Sequence, residues 1–474
     1  MVPPAMKQTG TTWAPAPAID DAGGILTIDL NALVSNWHAL KQRSAPARCA
    51  AVVKADGYGL GMPVALALAN AGCDVFFVAL LDEAKRLRAV LPTATIYVLN
   101  GLNPSATDEF RKLRIEPVLG SWDEIDEWDA FALSCGEPLP AAIHVDTGMT
   151  RHGLSAEDAK VLAERMRLLN FKPSLVMSHL ACADEPAHPM NAKQIADFRS
   201  IASLFPGIPA SLANSAGILA HSDAYFDLVR PGIALYGGRA VLTGANPMQP
   251  VVRLDLRIVQ VRRAAQGGTV GYGAKQHLKR DSRLAICAAG YADGIFRAAG
   301  SSDQFIGAEA IVAGERCPLV GRISMDFIAI DVTNLPESSV KRGDFATLLG
   351  DEIGIDEFAG HAGTIGYETL TALGRRGKSV LALVFQAGKL RLIQARKRAS
   401  GGSITGTSRA ISNKPSGSIQ NPKIGRKPKI PPNTSNPPTG KRTQRDVGRR
   451  TQSMMREKKG GSFCSNRRSS WSRS

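Results

Sequence analysis

Short apolar segments alternate regularly with longer amphipathic segments through the first half of this 474-residue chain. The apolar segments predict strands at residues 50–55, 74–80, 95–100, 115–119, 141–148, 175–180, 210–216 and 228–237. Amphipathic segments such as residues 81–91 and 156–169 lie between most of them and predict helices. This alternation is typical of a parallel sheet covered on both faces. Eight such strands in roughly 200 residues predict a (β/α)8 barrel, the TIM-type α/β fold.

The pattern changes after about residue 238. Residues 250–264 alternate apolar and polar side chains, as a half-exposed antiparallel strand does. Further short strands with glycine-rich turns follow and predict a mostly antiparallel β domain. An extra strand, residues 25–30, precedes the eight barrel strands, so we expect it to belong to this second domain. The predicted segments are a disordered lead-in (1–23), the barrel (24–240), the β domain (241–376) and a divergent tail (377–474).

The tail differs from the rest of the chain in charge. Residues 377–474 hold 23 of the 58 Lys and Arg residues but only 2 of the 42 acidic ones, so the body of the chain is mildly acidic. Its Ser-, Pro- and Gly-rich composition predicts a mostly disordered basic segment. Such a tail could bind nucleic acid. Because the change is abrupt and nothing upstream suggests a nucleic-acid role, we interpret it instead as an extension added to a finished protein.

The remaining bulk properties favour a cytoplasmic protein. The seven cysteines are scattered without a CxxC pair, which predicts neither a disulfide framework nor a metal site. The N-terminal segment has no apolar core of a secretory signal. No apolar run is long enough to cross a membrane.

Polar and ionisable residues are concentrated where the predicted barrel strands end. In a (β/α)8 barrel the working residues lie at the carboxyl ends of the strands. Here those ends carry Lys54, Asp146, His179, the pair Asn214–Ser215, and Arg230. Each residue alone has a structural explanation, but their joint placement indicates a binding site. Lys54 lies beside a glycine-rich turn and is suited to form an imine with an aldehyde.

The segment around Lys54 resembles the lysine motif of the alanine racemase family, which binds pyridoxal phosphate (PLP). The resemblance covers roughly residues 24–376 through AVVKADGYGLG, IHVDTGMTRHGL, SHLACADE, LANSAG, VRPGIALYG, VGYGA, GYADGI, GRISMD and TIGYE. It implies a PLP-binding barrel followed by a β domain. It also implies that PLP contacts Lys54, Tyr58, His179, Asn214, Ser215, Arg230, Gly232, Ile233 and Tyr367.

The resemblance further implies the reaction, an isomerisation that interconverts L- and D-alanine and supplies D-alanine for peptidoglycan. Racemisation needs a base on each face of the substrate Cα. Lys54 would serve the D-alanine face, and Tyr272 the L-alanine face. In the family this tyrosine comes from the second subunit of a homodimer. Arg230, hydrogen-bonded to His179, would donate to the pyridine nitrogen and keep PLP a weak electron sink.

Three residues are expected at the substrate carboxylate: Arg151 from the same chain, and Met325 and Asp326 from the partner. One departure bears on Arg151. The family often has a carbamylated lysine two residues before the aspartate of DTGM, and it positions this arginine. This chain has His144 there, which cannot form that carbamate, so another group or a bound anion must hold Arg151.

Other functions remain open at this stage. A broad-specificity amino-acid racemase of the same fold is the principal alternative, although such proteins are usually exported. A single-domain PLP protein would lack the β domain that carries Tyr272 and Tyr367. A decarboxylase of the same fold would need a pocket for a longer substrate, and a nucleic-acid-binding protein that uses the tail ranks below all of these.

Overall fold

The computed structural model of the chain describes residues 22–373, 380–386 and 389–395. It begins with strand β1 (Ala22–Asp29), which leads directly into helix α1 (Leu30–Arg43). The carboxylate of Asp29 starts this helix by accepting hydrogen bonds from the backbone N–H groups of Asn31 (2.9 Å) and Ala32 (3.1 Å). The turn from strand to helix is therefore fixed by one side chain.

The predicted barrel is present. Its strands are β2 (Arg48–Cys49), β3 (Ala51–Val52), β4 (Val75–Val78), β5 (Thr95–Val98), β6 (Glu116–Leu119), β7 (Pro140–His144), β8 (Lys172–Met177), β9 (Ala210–Ser211) and β10 (Leu228–Val229). All neighbouring pairs from β3 to β9 are parallel. Since β2 and β3 are the two halves of one barrel strand, these nine segments make eight barrel strands.

Backbone hydrogen bonds close the barrel on both sides of β10. On one side, the Arg230 N–H donates to the Ala213 carbonyl (2.9 Å). On the other side, β10 pairs in parallel with β2, and the Val52 N–H donates to the Pro231 carbonyl (3.0 Å). The closed parallel barrel confirms the fold predicted from the alternation of strands and helices.

Helices surround the barrel between its strands, and two more follow in the second domain. They are α2 (Lys54–Tyr58), α3 (Pro63–Asn70), α4 (Leu81–Val90), α5 (Thr107–Leu113), α6 (Trp122–Cys135), α7 (Ala156–Arg165), α8 (Pro189–Ala202), α9 (Ser215–Ala220), α10 (Ile355–His361) and α11 (Gly366–Ala372). The core lies on both faces of the barrel strands, which carry fully buried side chains such as Phe76, Phe77 and Ile143. None of the described helices is both long and apolar enough to span a membrane.

The second domain is an antiparallel β barrel. Its strands are β11 (Val252–Ala264), β12 (Thr269–Val270), β13 (Gln276–His277), β14 (Ser282–Cys287), β15 (Glu309–Val312), β16 (Glu315–Val320), β17 (Ile328–Asp331) and β18 (Phe345–Leu349). The order β11–β14–β17–β16–β15–β18 closes on itself because β18 pairs with β11. Strand β1 pairs with β11 in register Leu26–Leu254, which confirms that the opening strand belongs to this domain.

Several strand boundaries and one segment of the tail differ from the sequence prediction. The predicted strands 210–216 and 228–237 are shorter, because Ser215 begins α9 and residues Ile233–Tyr236 form a 3-10 helix. Within the segment predicted as mostly disordered, β19 (Val380–Gln386) and β20 (Lys389–Ala395) form a hairpin, and β20 pairs with β1. The lead-in up to residue 21 and the tail from residue 396 lie outside the described residues.

Candidate active site

A cavity of about 550 Å³ opens at the carboxyl end of the barrel. Ten of the thirteen residues proposed from the sequence line it. They are Lys54, Tyr58, Arg151, His179, Asn214, Ser215, Arg230, Gly232, Ile233 and Tyr367. Tyr367 is carried by α11 of the second domain, so both domains contribute to the cavity wall.

Lys54 stands on an unusual turn rather than at a strand end. The sequence predicts a strand through residue 55, but the strand stops at Val52 and Lys54 begins α2. Residues Ala55 to Tyr58 then all have positive φ angles, from 54° to 64°. Left-handed backbone costs roughly 1–2 kcal/mol for each non-glycine residue. Such a run persists only where surrounding contacts hold it.

Glu83 supplies that support, and the sequence reasoning missed it. Its carboxylate accepts hydrogen bonds from the Asp56 N–H (3.2 Å) and the Ala79 N–H (2.8 Å). The side chain is buried, so it ties the Lys54 turn to the end of β4. A glutamate in the first turn of a helix that follows a strand was the available signal.

The amine of Lys54 is poised to react with a carbonyl group. Burial lowers its pKa, the positive charge of Arg151 lowers it further, and Glu83 opposes the change. A lowered pKa increases the fraction of neutral amine, which is the nucleophile in imine formation.

Hydroxyl groups and small residues gather on one wall of the cavity. Tyr58 is buried and stacks on Tyr236, with ring centroids 4.4 Å apart. A Cβ atom at Gly232 would lie 2.2 Å from the Tyr58 hydroxyl, so only glycine fits there. Ser215 Oγ accepts hydrogen bonds from the backbone N–H groups of Gly232 (2.8 Å) and Ala234 (3.3 Å). This wall therefore brings hydroxyl and amide groups together.

Asn214 and Tyr367 also belong to this wall and offer hydrogen-bond donors. Asn214 Oδ1 caps α9 by accepting from the Gly217 N–H (2.9 Å), which leaves the carboxamide N–H₂ group for other partners. Burial raises the pKa of Tyr367 to about 12 and also raises that of Tyr58. Both phenols are therefore neutral hydrogen-bond donors near pH 7.

Arg230 is held inside the barrel by groups from neighbouring strands. It donates to Ser211 Oγ and, through Nη2, to the Ser178 carbonyl (2.6 Å). Nη2 also lies 3.5 Å from Nδ1 of His179. Burial lowers the Arg230 pKa to about 9, so it remains charged at neutral pH, whereas burial and the Arg230 charge keep His179 neutral by lowering its pKa.

A buried glutamine fixes the His179 segment. Gln194 on α8 donates to the His179 carbonyl (3.0 Å) and to Thr147 Oγ1 (3.2 Å), and it accepts from the Ala181 N–H (2.8 Å). No sequence motif pointed to Gln194, because its contacts depend on how α8 packs against two barrel strands.

Arg151 and two histidines also line the cavity. His144 ends β7, and Arg151 and His152 follow on the next loop. The His144 and His152 rings meet edge to face with centroids 5.2 Å apart, and both line the cavity. The Arg151 charge contributes to lowering the pKa values of Lys54, His144 and His179. All three of these side chains line the same cavity as Arg151.

The other three proposed residues, Tyr272, Met325 and Asp326, do not line the cavity of their own chain. Tyr272 stands on a 3-10 turn between two glycines with positive φ and is 68% exposed. Met325 is 51% exposed. The backbone carbonyl of Met325 accepts from the Ala292 N–H (3.1 Å), next to exposed Tyr291. Tyr272, Tyr291 and Met325 are thus each exposed on the second domain.

Two family models match this chain and show the family to which it belongs. The family model for the N-terminal domain of alanine racemase matches residues 28–240, and that for its C-terminal domain matches residues 251–381. The chain belongs to the alanine racemase family. Residues 28–240 include the parallel barrel, and residues 251–381 include the closed antiparallel sheet.

Curated alanine racemases are similar to this chain over nearly their whole length. An alanine racemase from Methylobacterium sp. (strain 4-46) is 52% identical over 357 residues, which cover 75% of this chain and 97% of the relative. A biosynthetic alanine racemase from Agrobacterium fabrum is 46% identical over an alignment that covers 76% of this chain and 94% of the relative. Among solved structures, the crystal structure of alanine racemase from Bartonella henselae with covalently bound pyridoxal phosphate is similar to this chain. Its sequence is 39% identical and the TM-score is 0.71, and the match covers 75% of this chain and 98% of that chain.

The cavity fits PLP, the cofactor of the alanine racemase family. Lys54 offers a primary amine with a lowered pKa for the aldehyde group. The wall of Tyr58, Ser215 and Tyr367 offers hydroxyl donors for a phosphate. Gly232 leaves the backbone open beside Tyr58. These features match a cofactor that carries an aldehyde and a dianion.

Proposed function

We propose that this chain racemises alanine with PLP through a two-base mechanism in which Lys54 and Tyr272 act on opposite faces of the substrate. The observation that carries the proposal is the Lys54 amine, which has a lowered pKa and lines a cavity shared with two arginines, Arg151 and Arg230. PLP, when bound, withdraws electrons from the substrate Cα and so makes its proton acidic.

Lys54 provides one of the two bases. Its neutral amine accepts the α-proton of D-alanine and, in the reverse direction, its ammonium form returns one. The lowered pKa supports this role, because an acid–base group is most effective when its pKa lies near the working pH.

Tyr272 provides the second base, and we propose that it comes from a partner subunit. Within one chain the cavity lacks Tyr272, although its side chain is well exposed on the second domain. A homodimer can bring the exposed surface of Tyr272, Tyr291 and Met325 to the cavity of the other subunit. A symmetric dimer of this kind would have two equivalent sites, each built from both chains.

The substrate carboxylate is placed on Arg151, with Met325 and Asp326 of the partner subunit closing the pocket. A guanidinium group binds a carboxylate through two parallel hydrogen bonds. The crowded pocket would accept the methyl group of alanine and exclude larger side chains.

Arg230 limits side reactions in this scheme. Buried and charged, it can only donate a hydrogen bond to the pyridine nitrogen of the cofactor. The nitrogen then stays unprotonated, and negative charge is withdrawn less strongly into the ring. Reprotonation at carbons other than Cα is thereby disfavoured. His179, next to Arg230, orients its guanidinium.

We place the reaction in the cytoplasm, where D-alanine enters peptidoglycan synthesis. All six cysteines among the described residues are free thiols, which supports a reducing compartment. From residue 396 onward, the basic tail that would support nucleic-acid binding lies outside the described residues.

The test is the production of D-alanine from L-alanine by the purified full-length protein with added PLP. We expect equal amounts of both enantiomers at equilibrium, and little turnover of L-serine or L-lysine. Racemisation of many amino acids at similar rates would favour the broad-specificity racemase. Cofactor binding without any racemisation would overturn the proposal.

A further inference from the structure

We propose that Gln194 is a positioning residue for Arg230, which it reaches through a buried polar network. The network includes Thr147 and ends at the Ser178 carbonyl, to which the guanidinium of Arg230 donates. The inference rests on the proposed function, because that function assigns Arg230 to the pyridine nitrogen of PLP. Neither Gln194 nor Thr147 lines the cavity, so both act through other residues.

The side chain of Gln194 is completely buried, and both ends of its carboxamide have partners. It stands on α8, and its N–H₂ group donates to the His179 carbonyl (3.0 Å) and to Thr147 Oγ1 (3.2 Å). Its oxygen accepts from the Ala181 N–H (2.8 Å). The amide therefore uses both of its protons and its oxygen on the segment after β8 and on the loop after β7.

Thr147 carries the network on to Ser178. Its Oγ1 lies 2.8 Å from Ser178 Oγ, and both side chains are buried. Since Oγ1 also accepts from Gln194, the threonine hydroxyl connects the glutamine to the serine side chain. The segment after β8 is thereby held at three points, which are the Ser178 hydroxyl, the His179 carbonyl and the Ala181 N–H.

The same segment forms one side of the seat of Arg230. Nη2 of Arg230 donates to the Ser178 carbonyl (2.6 Å) and lies 3.5 Å from Nδ1 of His179. On the other side, the guanidinium donates to Ser211 Oγ on β9. A guanidinium is a planar fork whose N–H groups have fixed relative directions, so moving one acceptor turns all of them. A shift of the Ser178 carbonyl would therefore redirect the remaining N–H groups of Arg230.

The attachment of α8 to the barrel does not require this network. Ile195, Phe198 and Ile201 are buried on the same helix and belong to the hydrophobic core. Burying a carboxamide costs free energy unless its groups are paired, so an apolar side chain at position 194 would anchor the helix at least as well. The glutamine adds direction, because a fully paired buried network fixes one arrangement of the groups that it joins. Here it joins the ends of β7 and β8.

The experiment uses the PLP-loaded protein and compares Thr147→Val with Thr147→Ser. Valine has the shape of threonine without its hydroxyl, whereas serine keeps the hydroxyl. Gln194→Met removes the whole amide and keeps an unbranched side chain of similar length. The matched control is Asn191→Leu. Asn191 is also buried on α8, but it donates to the carbonyls of Cys182 (3.1 Å) and Glu185 (2.9 Å), both of which lie beyond residue 181.

Two measurements separate positioning from simple stabilisation. The first is the resonance of the pyridine nitrogen in nitrogen-15-labelled PLP, recorded by solid-state NMR after unbound cofactor is removed. This resonance responds to the hydrogen bond that the nitrogen accepts, and loss of folded protein weakens the signal without moving it. Arg230→Met gives the value for a nitrogen without the guanidinium donor. The second measurement is kcat for L-alanine with saturating PLP.

We expect Gln194→Met and Thr147→Val to move the resonance toward the Arg230→Met value. Both should lower kcat about tenfold, as the misdirection of one hydrogen bond from a charged group predicts. Thr147→Ser and Asn191→Leu should keep the wild-type resonance, with kcat within about twofold of the wild type.

The outcomes separate this inference from the proposed function. If Arg230→Met moves the resonance but Gln194→Met and Thr147→Val do not, the inference is overturned and the assignment of Arg230 stands. An equal shift in Asn191→Leu, or in Thr147→Ser and Thr147→Val alike, would overturn it as well. If Arg230→Met itself leaves the resonance unchanged, the inference falls together with the assignment of Arg230 to the pyridine nitrogen. Because the resonance is recorded without turnover, this test remains informative if the chain fails to racemise alanine.

Discussion

Nη2 of Arg230 lies 3.5 Å from Nδ1 of His179 inside the barrel, while the same guanidinium donates to the Ser178 carbonyl (2.6 Å) and to Ser211. Groups from the two preceding barrel strands, β8 and β9, thus surround one buried cation. The guanidinium carbon of Arg230 also lies over the ring of Phe77, 5.9 Å from the ring centroid. This environment fixes where Arg230 can direct its remaining N–H groups.

Replacing Arg230 by glutamate tests the role of this cation. A carboxylate there would hold a proton on the pyridine nitrogen of PLP and make the cofactor a stronger electron sink. We expect racemisation to slow about 100-fold, and pyruvate formed by transamination to increase. Pyruvate is measured with a coupled dehydrogenase assay. Arg230→Gln is the control: it should lose rate without forming more pyruvate, and equal pyruvate from both variants would contradict the account.

The pH dependence of imine formation tests the environment of Lys54. Burial first, and the Arg151 charge second, lower the pKa of this amine. The neutral amine therefore becomes available as pH rises through a value below the usual lysine range. Replacing Arg151 by methionine removes a positive charge that lowers the Lys54 pKa. The pH midpoint for imine formation between Lys54 and added PLP should therefore move to a higher pH. The readout is visible absorbance, and a midpoint that stays in place would show that Arg151 does not act on Lys54.

A methyl group at Gly232 should weaken cofactor binding. Its Cβ would lie 2.2 Å from the Tyr58 hydroxyl, and Tyr58 cannot move easily because it stacks on Tyr236. We expect Gly232→Ala to raise the Kd for PLP about tenfold, the effect of a moderate steric clash. Gly360→Ala serves as the control, since a Cβ there meets no atom within 4 Å. Equal PLP affinity in the two variants would refute the close contact.

Glu83 should matter for both stability and cofactor attachment. Its buried carboxylate holds the left-handed turn that begins at Lys54. Glu83→Gln removes the negative charge that accepts these bonds, so we expect the free energy of unfolding in urea to fall by about 1–3 kcal/mol and less PLP to be bound through Lys54. The exposed Glu164→Gln is the comparison. An unchanged urea midpoint in Glu83→Gln would show that the turn is held by other contacts.

The sequence predicts the barrel well because each strand is short, apolar and followed by a helical pattern. The order of strands β3 to β9 then follows the chain, and polar strand ends identify residues such as Arg230 and His179 without knowledge of any contact. The assignment of β1 to the second domain also follows, since a barrel of this type has eight strands.

Features that depend on tertiary contacts could not be predicted in this way. The positive φ angle of Ala55 contradicts the strand predicted through residue 55. The left-handed run from Ala55 to Tyr58 persists because Glu83 binds the turn from a different helix. The β19–β20 hairpin lies in a stretch assigned to the disordered tail, and its pairing with β1 is a long-range contact.

In the proposed dimer, each site combines Lys54 of one chain with Tyr272 of another. Two inactive variants, Lys54→Ala and Tyr272→Phe, can therefore be mixed after dissociation and reassociation of the subunits. A mixed dimer would regain one site with both native bases, so random reassociation should restore about a quarter of the wild-type rate of D-alanine formation. If mixing restores no activity although mixed dimers form, Lys54 and Tyr272 do not act together across two subunits, and the two-base account across the dimer is contradicted.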